Sequence, residues 1–211
     1  MSKGTNVLLF LIFFICNISN ASSIELIENP MLMDEVSKGN LPSIEKRVPS
    51  DPSIADTSGK PGGVINVLMG RKKDTRQLVV YGYARLVGYD KKFNIKPDIL
   101  SRMEVKEGRV FTLHLRKGHK WSDGHPFTSE DFRYYWEDVV NNNDIPNENI
   151  PSSMLIEGQK PEFRVLDKFT VRYTWKKPNP FFLPRLAGAR PLYVYRPAHY
   201  LKKFHLKYTD K

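Results

Sequence analysis

The sequence predicts an α+β fold, in which a mixed sheet with hairpins is combined with a few helices. Two blocks, residues 103–115 and residues 163–175, alternate apolar and polar side chains as half-buried strands do. Between them, residues 128–140 carry helix-capping residues followed by apolar residues at helical spacing. Together these three blocks predict the α+β class.

The first 21 residues have the pattern of a secretory signal peptide. Lys3 provides a weakly positive start, Val7 to Ile15 is an uninterrupted apolar run, and small residues at Ser19 and Ala21 precede a predicted cleavage site. The alternative is a transmembrane anchor, but the apolar run is shorter than the ~20 residues needed to span a bilayer. The pattern therefore favours an exported protein whose residues 1–21 are removed.

The cysteine content of the chain limits its chemistry. Cys16 is the single cysteine and lies inside the apolar run. A lipoprotein acceptor cysteine would follow small residues, whereas Phe14 and Ile15 precede this one. The mature chain is therefore expected to have no disulfide, no thiolate metal site and no cysteine nucleophile.

The formal net charge of +10 is concentrated in residues 160–211. A basic segment can indicate binding to nucleic acid or to another anionic surface. In this segment, however, charges alternate with apolar residues, as in Val171 to Lys176. That alternation favours the solvated face of a folded layer, or a face that meets an acidic partner domain, and nucleic acid is not expected as a partner.

Residues 22–60 are expected to form a poorly ordered leader. Asn29-Pro30 interrupts any helix there, and further prolines at 42, 49 and 52 favour an extended chain. A break at Lys60-Pro61-Gly62-Gly63 then leads into a predicted strand from Val64 to Met69. Thr75 to Val87 is expected to be a helix that ends at Gly88.

Two hairpins are predicted in the rest of the chain. The first joins residues 102–106 to Arg109–Leu115 through Glu107-Gly108, and the second joins Phe163–Leu166 to Thr170–Trp175. A long loop is expected between Ile145 and Lys160. The last elements are expected to be a short helix from Phe181 to Leu186, a strand from Leu192 to Tyr195 and a helix after Pro197.

Residues 116–131, here called the knuckle, connect the first hairpin to the central helix. Asp123 can accept a hydrogen bond from the backbone ahead of it, and Gly124 can take a positive φ, so Trp121–Gly124 is expected to form a tight turn. The Thr128 hydroxyl can cap the helix, and Asp131 gives a shortened capping box. The expected apolar face of the helix consists of Phe132, Tyr135, Trp136, Val139 and Val140.

The run RKGHKWSDGHPFTSEDF at residues 116–132 resembles the signature of the bacterial ABC-transporter periplasmic solute-binding proteins of family 5, the dipeptide, oligopeptide and nickel group. The usual form there is LRKGVKWSDGTPVTAEDV, and this sequence differs mainly by His119 and His125. YARLVGYD at 83–90 and PDIL at 97–100 are similar to further segments of that family. The residues that carry the signature, all expected to be structural, are Arg116, Lys117, Gly118, Trp121, Ser122, Asp123, Gly124, Pro126, Thr128 and Asp131.

The resemblance implies the extracytoplasmic substrate-binding component of an ABC importer for peptides. Such a protein would be a periplasmic monomer, would bind a peptide ligand, and would dock on an inner-membrane ABC permease. It implies no enzyme activity, no catalytic residue, no cofactor and no metal.

Family members are far longer and close two lobes over the ligand. Residues 61–211 would therefore be the N-terminal part of such a protein, forming part of a type II lobe. They would hold the first strands of the main lobe and a small subdomain at about 90–190. A truncated chain of this kind is not expected to bind ligand or function alone.

Two residue patterns in and near the knuckle could instead indicate chemistry. His114, His119 and His125 lie close in sequence to Asp123 and could suggest a metal site, but their spacing matches no tight ligand pattern. Ser122, Asp123 and His125 contain the residue types of a hydrolase triad, yet neighbours on a tight turn point apart. Both patterns favour a structural role.

A second hypothesis for function is a secreted basic interaction protein that binds anionic surfaces through residues 160–211. Salt distinguishes the two hypotheses, because counterion-driven binding falls steeply between ~50 and ~200 mM salt. Peptide binding would depend on salt much less.

Overall fold

A computed structural model of the chain describes residues 25–55, 59–60, 62–78, 84–145, 150–188 and 191–209. The predicted signal peptide, including Cys16, lies outside these residues. Within the described part, no helix combines the length and the apolar character needed to cross a membrane.

The described strands form two antiparallel sheets. Strands β1 (Val87–Tyr89) and β2 (Ile95–Pro97) pair with each other. The larger sheet has the order β3-β4-β6-β5. Its strands are β3 (Leu100–Lys106), β4 (Val110–Leu115), β5 (Glu162–Asp167) and β6 (Thr170–Thr174). The α+β class is confirmed, although the sheets within the described ranges are antiparallel rather than mixed.

Both predicted hairpins are confirmed, and their turns explain why the strands reverse where they do. In the first, Lys106 pairs with Val110 across a turn in which Glu107 and Gly108 have φ values of 53° and 61°. In the second, Asp167 pairs with Thr170, and the Asp167 carboxylate accepts a 2.7 Å hydrogen bond from the N–H of Phe169. Gly108 takes its positive φ without strain, and the Asp167 carboxylate accepts a backbone hydrogen bond in the second turn.

The helices are short. In chain order they are α1 (Met33–Ser37), α2 (Ile44–Arg47), α3 (Ser129–Arg133), α4 (Phe182–Ala187) and α5 (Ala198–Leu201). Helix α3 continues directly as a π-helix, Tyr134–Val140. Single 3-10 turns lie at Pro30–Leu32, Ser152–Met154 and Lys202–Phe204, and a longer one at Lys72–Leu78.

Aromatic side chains dominate the core between the larger sheet and the central helix. All five residues of the predicted apolar helix face are buried. Trp136 lies edge-on to Tyr173 of β6, with ring centroids 5.9 Å apart. On the same sheet, Phe111 contacts both Trp175 and Phe182, at 5.5 and 5.2 Å. Aromatic rings bury large areas and prefer such edge-on arrangements, so these contacts hold the sheet and helices together.

Two of the predicted strands are wrong. Val64–Met69 is extended but pairs with no strand among the described residues, and Leu68 is 101% exposed. Leu192–Tyr195 also forms no strand, although Val194 is fully buried. A pattern of apolar residues indicates which side chains are buried, whereas a β-strand also needs a neighbouring strand with which to form hydrogen bonds. The helix predicted from Thr75 to Val87 is wrong in its second half, because residues 84–86 form no helix and Val87 begins β1. Its first residues lie in the 3-10 helix Lys72–Leu78, and residues 79–83 lie outside the described ranges.

Residues 25–55 contain α1 and α2 and contact the knuckle, yet none of their described side chains is buried. The low order expected for residues 22–60 stays a prediction. The domain boundary at residue 61 and the small subdomain at about 90–190 stay predictions as well.

Candidate functional site

The turn within the knuckle has the geometry expected from its residues. The N–H of Gly124 donates to the carbonyl of Trp121 over 2.9 Å, and Gly124 has a φ of 86°. The Asp123 carboxylate accepts a 3.0 Å hydrogen bond from the N–H of His125. Beyond the turn, Lys120 and Pro126 form an isolated antiparallel bridge. The knuckle is therefore a small closed hairpin held by its own backbone.

A reciprocal capping box begins helix α3. The hydroxyl of Thr128 accepts from the N–H of Glu130 at 3.3 Å, and the Asp131 carboxylate accepts from the N–H of Thr128 at 2.9 Å. The other carboxylate oxygen of Asp131 accepts from the N–H of Ala198 at 3.1 Å. Burial raises the pKa of Asp131, against the effect of these hydrogen bonds. Asp131 thus joins the start of α3 to the start of α5.

The first three signature residues contact the sheet and the leader. Arg116 donates a 2.7 Å hydrogen bond from Nε to the carbonyl of Asp98, and its guanidinium lies 3.3 Å from the carboxylate of Asp51. The carbonyl of Lys117 accepts hydrogen bonds from the leader. Gly118 has a φ of 81° and approaches the leader closely. These residues place backbone groups where the leader can reach them.

Sequence reasoning missed His199, which completes a cluster with the turn. Its Nε2 lies 2.6 Å from the Asp123 carboxylate, and its ring stacks on that of His125 with centroids 3.8 Å apart. The hydrogen bond with His199 lowers the pKa of Asp123. Trp121 lies beside the cluster and contacts the ring of Phe127 at 5.4 Å. The sequence gives no indication of this contact, because 76 positions separate Asp123 from His199.

The three histidines considered as metal ligands do not converge. His119 is half-buried against Phe127, and burial lowers its pKa. His114 lies on β4 beside Glu104, 3.2 Å away, while His125 stacks on His199. Within the described ranges, no three or more His, Cys, Asp or Glu residues are grouped so that they could hold a metal ion.

The hydrolase alternative also lacks its geometry. A triad needs hydrogen bonds that run from nucleophile to base to carboxylate. Here Asp123 bonds the backbone of His125 and the ring of His199, and Nδ1 of His125 lies 3.1 Å from the carbonyl of Pro126. Ser122 is exposed and lies on the turn. The signature residues therefore lie together where the backbone turns from β4 into α3.

Part of the basic C-terminal segment pairs with acidic residues of the central helix. Lys202 lies 2.7 Å from Glu130, and Lys207 lies 2.7 Å from Asp138. Tyr208 donates a 2.6 Å hydrogen bond to Asp138. Burial of Asp138 disfavours its charge, but hydrogen bonds from Lys207, Tyr208 and Arg133 outweigh it and lower its pKa to about 2. Part of the positive charge of residues 160–211 therefore forms ion pairs within the fold, a role that the sequence alone does not reveal.

Comparison with known proteins gives a family match over more than half of the chain. Residues 94–209 match the family model described as bacterial extracellular solute-binding proteins, family 5 Middle. This range includes the knuckle, the larger sheet and the central helix. The sequence signature and the matched region therefore coincide.

Two curated relatives and one solved structure illustrate the similarity. The periplasmic alpha-galactoside-binding protein of Rhizobium meliloti (strain 1021) is 26% identical over 209 residues, covering 82% of this chain and 28% of the relative. The periplasmic oligopeptide-binding protein OppA of Escherichia coli (strain K12) is 31% identical over 130 residues, covering 54% and 23%. A solved structure of an oligopeptide-binding protein OppA superposes with a TM-score of 0.69 at 33% identity, covering 88% of this chain and 29% of that one. The chain spans less than a third of the length of these relatives.

Proposed function

The chain belongs to family 5 of the bacterial extracellular solute-binding proteins of ABC importers, and from that premise we propose that its ligand is a peptide. The observation that supports a peptide is the similarity to the solved oligopeptide-binding structure, at 33% identity over 88% of this chain. The alpha-galactoside-binding relative, at 26% identity, makes an oligosaccharide the competing ligand class.

The signature residues are proposed to shape the backbone rather than to react. Asp123 and Gly124 close the turn, Thr128 and Asp131 start the helix, and Arg116 fixes the end of β4. The side chains of Arg116, Asp123, Thr128 and Asp131 each make a structural hydrogen bond, which supports a scaffold role. The proteins that this chain resembles are also named as binding proteins.

The 211-residue chain alone is further proposed not to bind peptide with micromolar affinity. Ligand pockets usually bury about 70–90% of a ligand's surface. The chain corresponds to less than a third of its relatives' length, so it offers a ligand only part of such an enclosure. A periplasmic location, a cleaved signal peptide, a monomeric state and delivery to an inner-membrane ABC permease complete the proposal.

Calorimetry on the purified chain tests the ligand class. The full chain is expressed in a Gram-negative host, and the purified protein is titrated with a tetrapeptide library and with alpha-galactosides such as raffinose. The proposal predicts millimolar binding of peptides and none of the sugars. Binding of the sugars without the peptides would overturn it. Micromolar peptide binding would overturn only the proposed weak affinity.

The alternative, a protein that binds anionic surfaces, has less support from the described contacts. Four cations of the basic segment pair with carboxylates, namely Arg164, Lys177, Lys202 and Lys207. Pairing reduces the charge available to an anionic surface. Sedimentation with anionic vesicles at ~50 and ~200 mM salt distinguishes the alternatives, because counterion-driven binding weakens steeply over that range.

A further inference from the structure

Residues 48–55, here called the strap, follow helix α2 and lie across the knuckle without regular secondary structure. The hydroxyl of Ser50 donates to the carbonyl of Lys117 over 3.0 Å, and the N–H of Asp51 donates to the same carbonyl over 3.3 Å. The Asp51 carboxylate lies 3.3 Å from the guanidinium of Arg116. The knuckle thus recognises an extended segment through one carbonyl acceptor and one cation.

The shape of the knuckle matches this segment at one point. A Cβ atom at Gly118 would lie 2.5 Å from the backbone nitrogen of Ser50, too close for any other residue unless the strap moved. Gly124 also has a positive φ, but a Cβ there would meet nothing within 4 Å. Glycine allows another backbone to approach closely, so Gly118 provides the flat surface on which the strap lies.

The strap is held weakly. No described side chain of residues 25–55 is buried, and the Asp51 carboxylate is 52% exposed. Exposed ion pairs contribute little to stability, and segments with few buried contacts open locally at low free-energy cost. An open groove of about 450 Å³ borders the strap and the knuckle and is lined in part by Val48, Pro52 and Lys120. The strap therefore lies on the knuckle beside a groove that it does not fill.

We propose that Arg116, Lys117 and Gly118 form a docking site for an extended peptide segment bearing a carboxylate, and that the strap occupies this site in cis. The occupant needs donors for the Lys117 carbonyl, a carboxylate for Arg116, and a backbone that can approach Gly118. A partner segment with these groups replaces the strap. The site lies on the outside of the knuckle, and its existence does not depend on which ligand class the importer takes.

Competition between the strap and a free peptide tests the site. A fluorescent peptide with the sequence of residues 48–55 and blocked ends is titrated against the full chain by anisotropy. The tethered strap competes at an effective concentration in the millimolar range. The double variant Ser50→Ala/Asp51→Ala weakens the strap and leaves the site intact, so it binds the peptide about tenfold more tightly than the unaltered chain. A peptide with alanine in place of its aspartate binds more weakly.

Matched glycine variants separate the site from backbone strain. Adding Gly118→Ala to the double variant abolishes peptide binding, whereas adding Gly124→Ala, at a similar φ but without a close neighbour, leaves it unchanged. In the otherwise unaltered chain, Gly118→Ala raises amide hydrogen exchange in residues 48–55 and Gly124→Ala does not. The proposal is overturned if the double variant does not bind the peptide, or if both glycine variants reduce binding equally.

Discussion

The guanidinium of Arg133 lies 2.9 Å from the carboxylate of Asp138, five positions further along the chain. An α-helix brings residues three and four apart onto one face. The π-helix Tyr134–Val140 has wider turns, with hydrogen bonds between residues five apart, and so places Asp138 above Arg133. In that position the Asp138 carboxylate also accepts hydrogen bonds from Lys207 and Tyr208. The irregular helix therefore attaches the C-terminal segment to the core.

Replacing Asp138 tests this attachment. The pKa of Asp138 is about 2, below the usual value near 4. The ionised carboxylate therefore stabilises the fold fully at pH values above about 4. This stabilisation is lost as the pH falls through about 2. The side chain is 2% exposed, and the shift corresponds to about 2 kcal/mol near neutral pH. Asp138→Asn is expected to lower the free energy of unfolding in urea by about that amount.

The pH dependence provides the control for this variant. The difference between Asp138→Asn and the unaltered chain should shrink as the pH falls from about 4 to about 2, because Asp138 is about half protonated at its folded-state pKa of about 2. Asp34→Asn removes an 80% exposed carboxylate that pairs with Lys38 and should change little. A difference for Asp138→Asn that is independent of pH would contradict the assigned role.

The capping box predicts a second stability effect. Thr128→Ala leaves the N–H of Glu130 without its acceptor and is expected to lower the free energy of unfolding by about 1 kcal/mol. Thr128→Ser keeps a hydroxyl and should recover most of the loss. Urea denaturation followed by circular dichroism measures both. Equal stability of the alanine and serine variants would show that the cap contributes nothing.

The contact between Asp123 and His199 predicts a specific titration. The hydrogen bond with His199 lowers the pKa of Asp123. His199→Phe removes that bond, so the carboxyl resonance of Asp123 should titrate at a higher pH in the variant. Carbon-detected NMR measures this shift by comparing Asp123 in the variant with Asp123 in the unaltered chain. An unchanged pKa of Asp123 would mean that the pair does not form in solution.

The sequence pattern correctly predicted the elements that are determined by residues close together in the chain. The two hairpins and the capped start of α3 follow from turn residues, alternation and capping groups that lie within a few positions of each other. The strand expected at Val64–Met69 is not formed, because its formation requires a partner that the pattern does not specify. The π-helix was missed as well, since the residues of Tyr134–Val140 have the same apolar spacing that an α-helix has.

The candidate site was predictable in its turn but not in its connections. Asp123 and Gly124 behave as their residue types suggest. The contacts of the knuckle with Ser50 on one side and with His199 on the other join residues 67 and 76 positions apart. Such contacts arise from the packing of whole elements, so the sequence of the knuckle alone contained no sign of them.

Export predicts a defined N-terminus. The chain expressed in a Gram-negative host should be recovered from the periplasm with Ser22 as its first residue, as measured by intact-mass spectrometry. Replacing Ala21 with a bulky residue should block cleavage, because signal peptidase sites require small side chains. Recovery of the uncleaved chain from the cytoplasm would contradict both the signal peptide and the proposed location.

The central proposal is that the chain is part of a binding protein rather than an enzyme, with the knuckle acting as a scaffold. The most direct measurement is liquid chromatography with mass spectrometry of a peptide mixture after prolonged incubation with the purified chain. The account predicts that every peptide is recovered with its original mass and amount. Turnover of a peptide that disappears in Ser122→Ala or Asp123→Asn would contradict it.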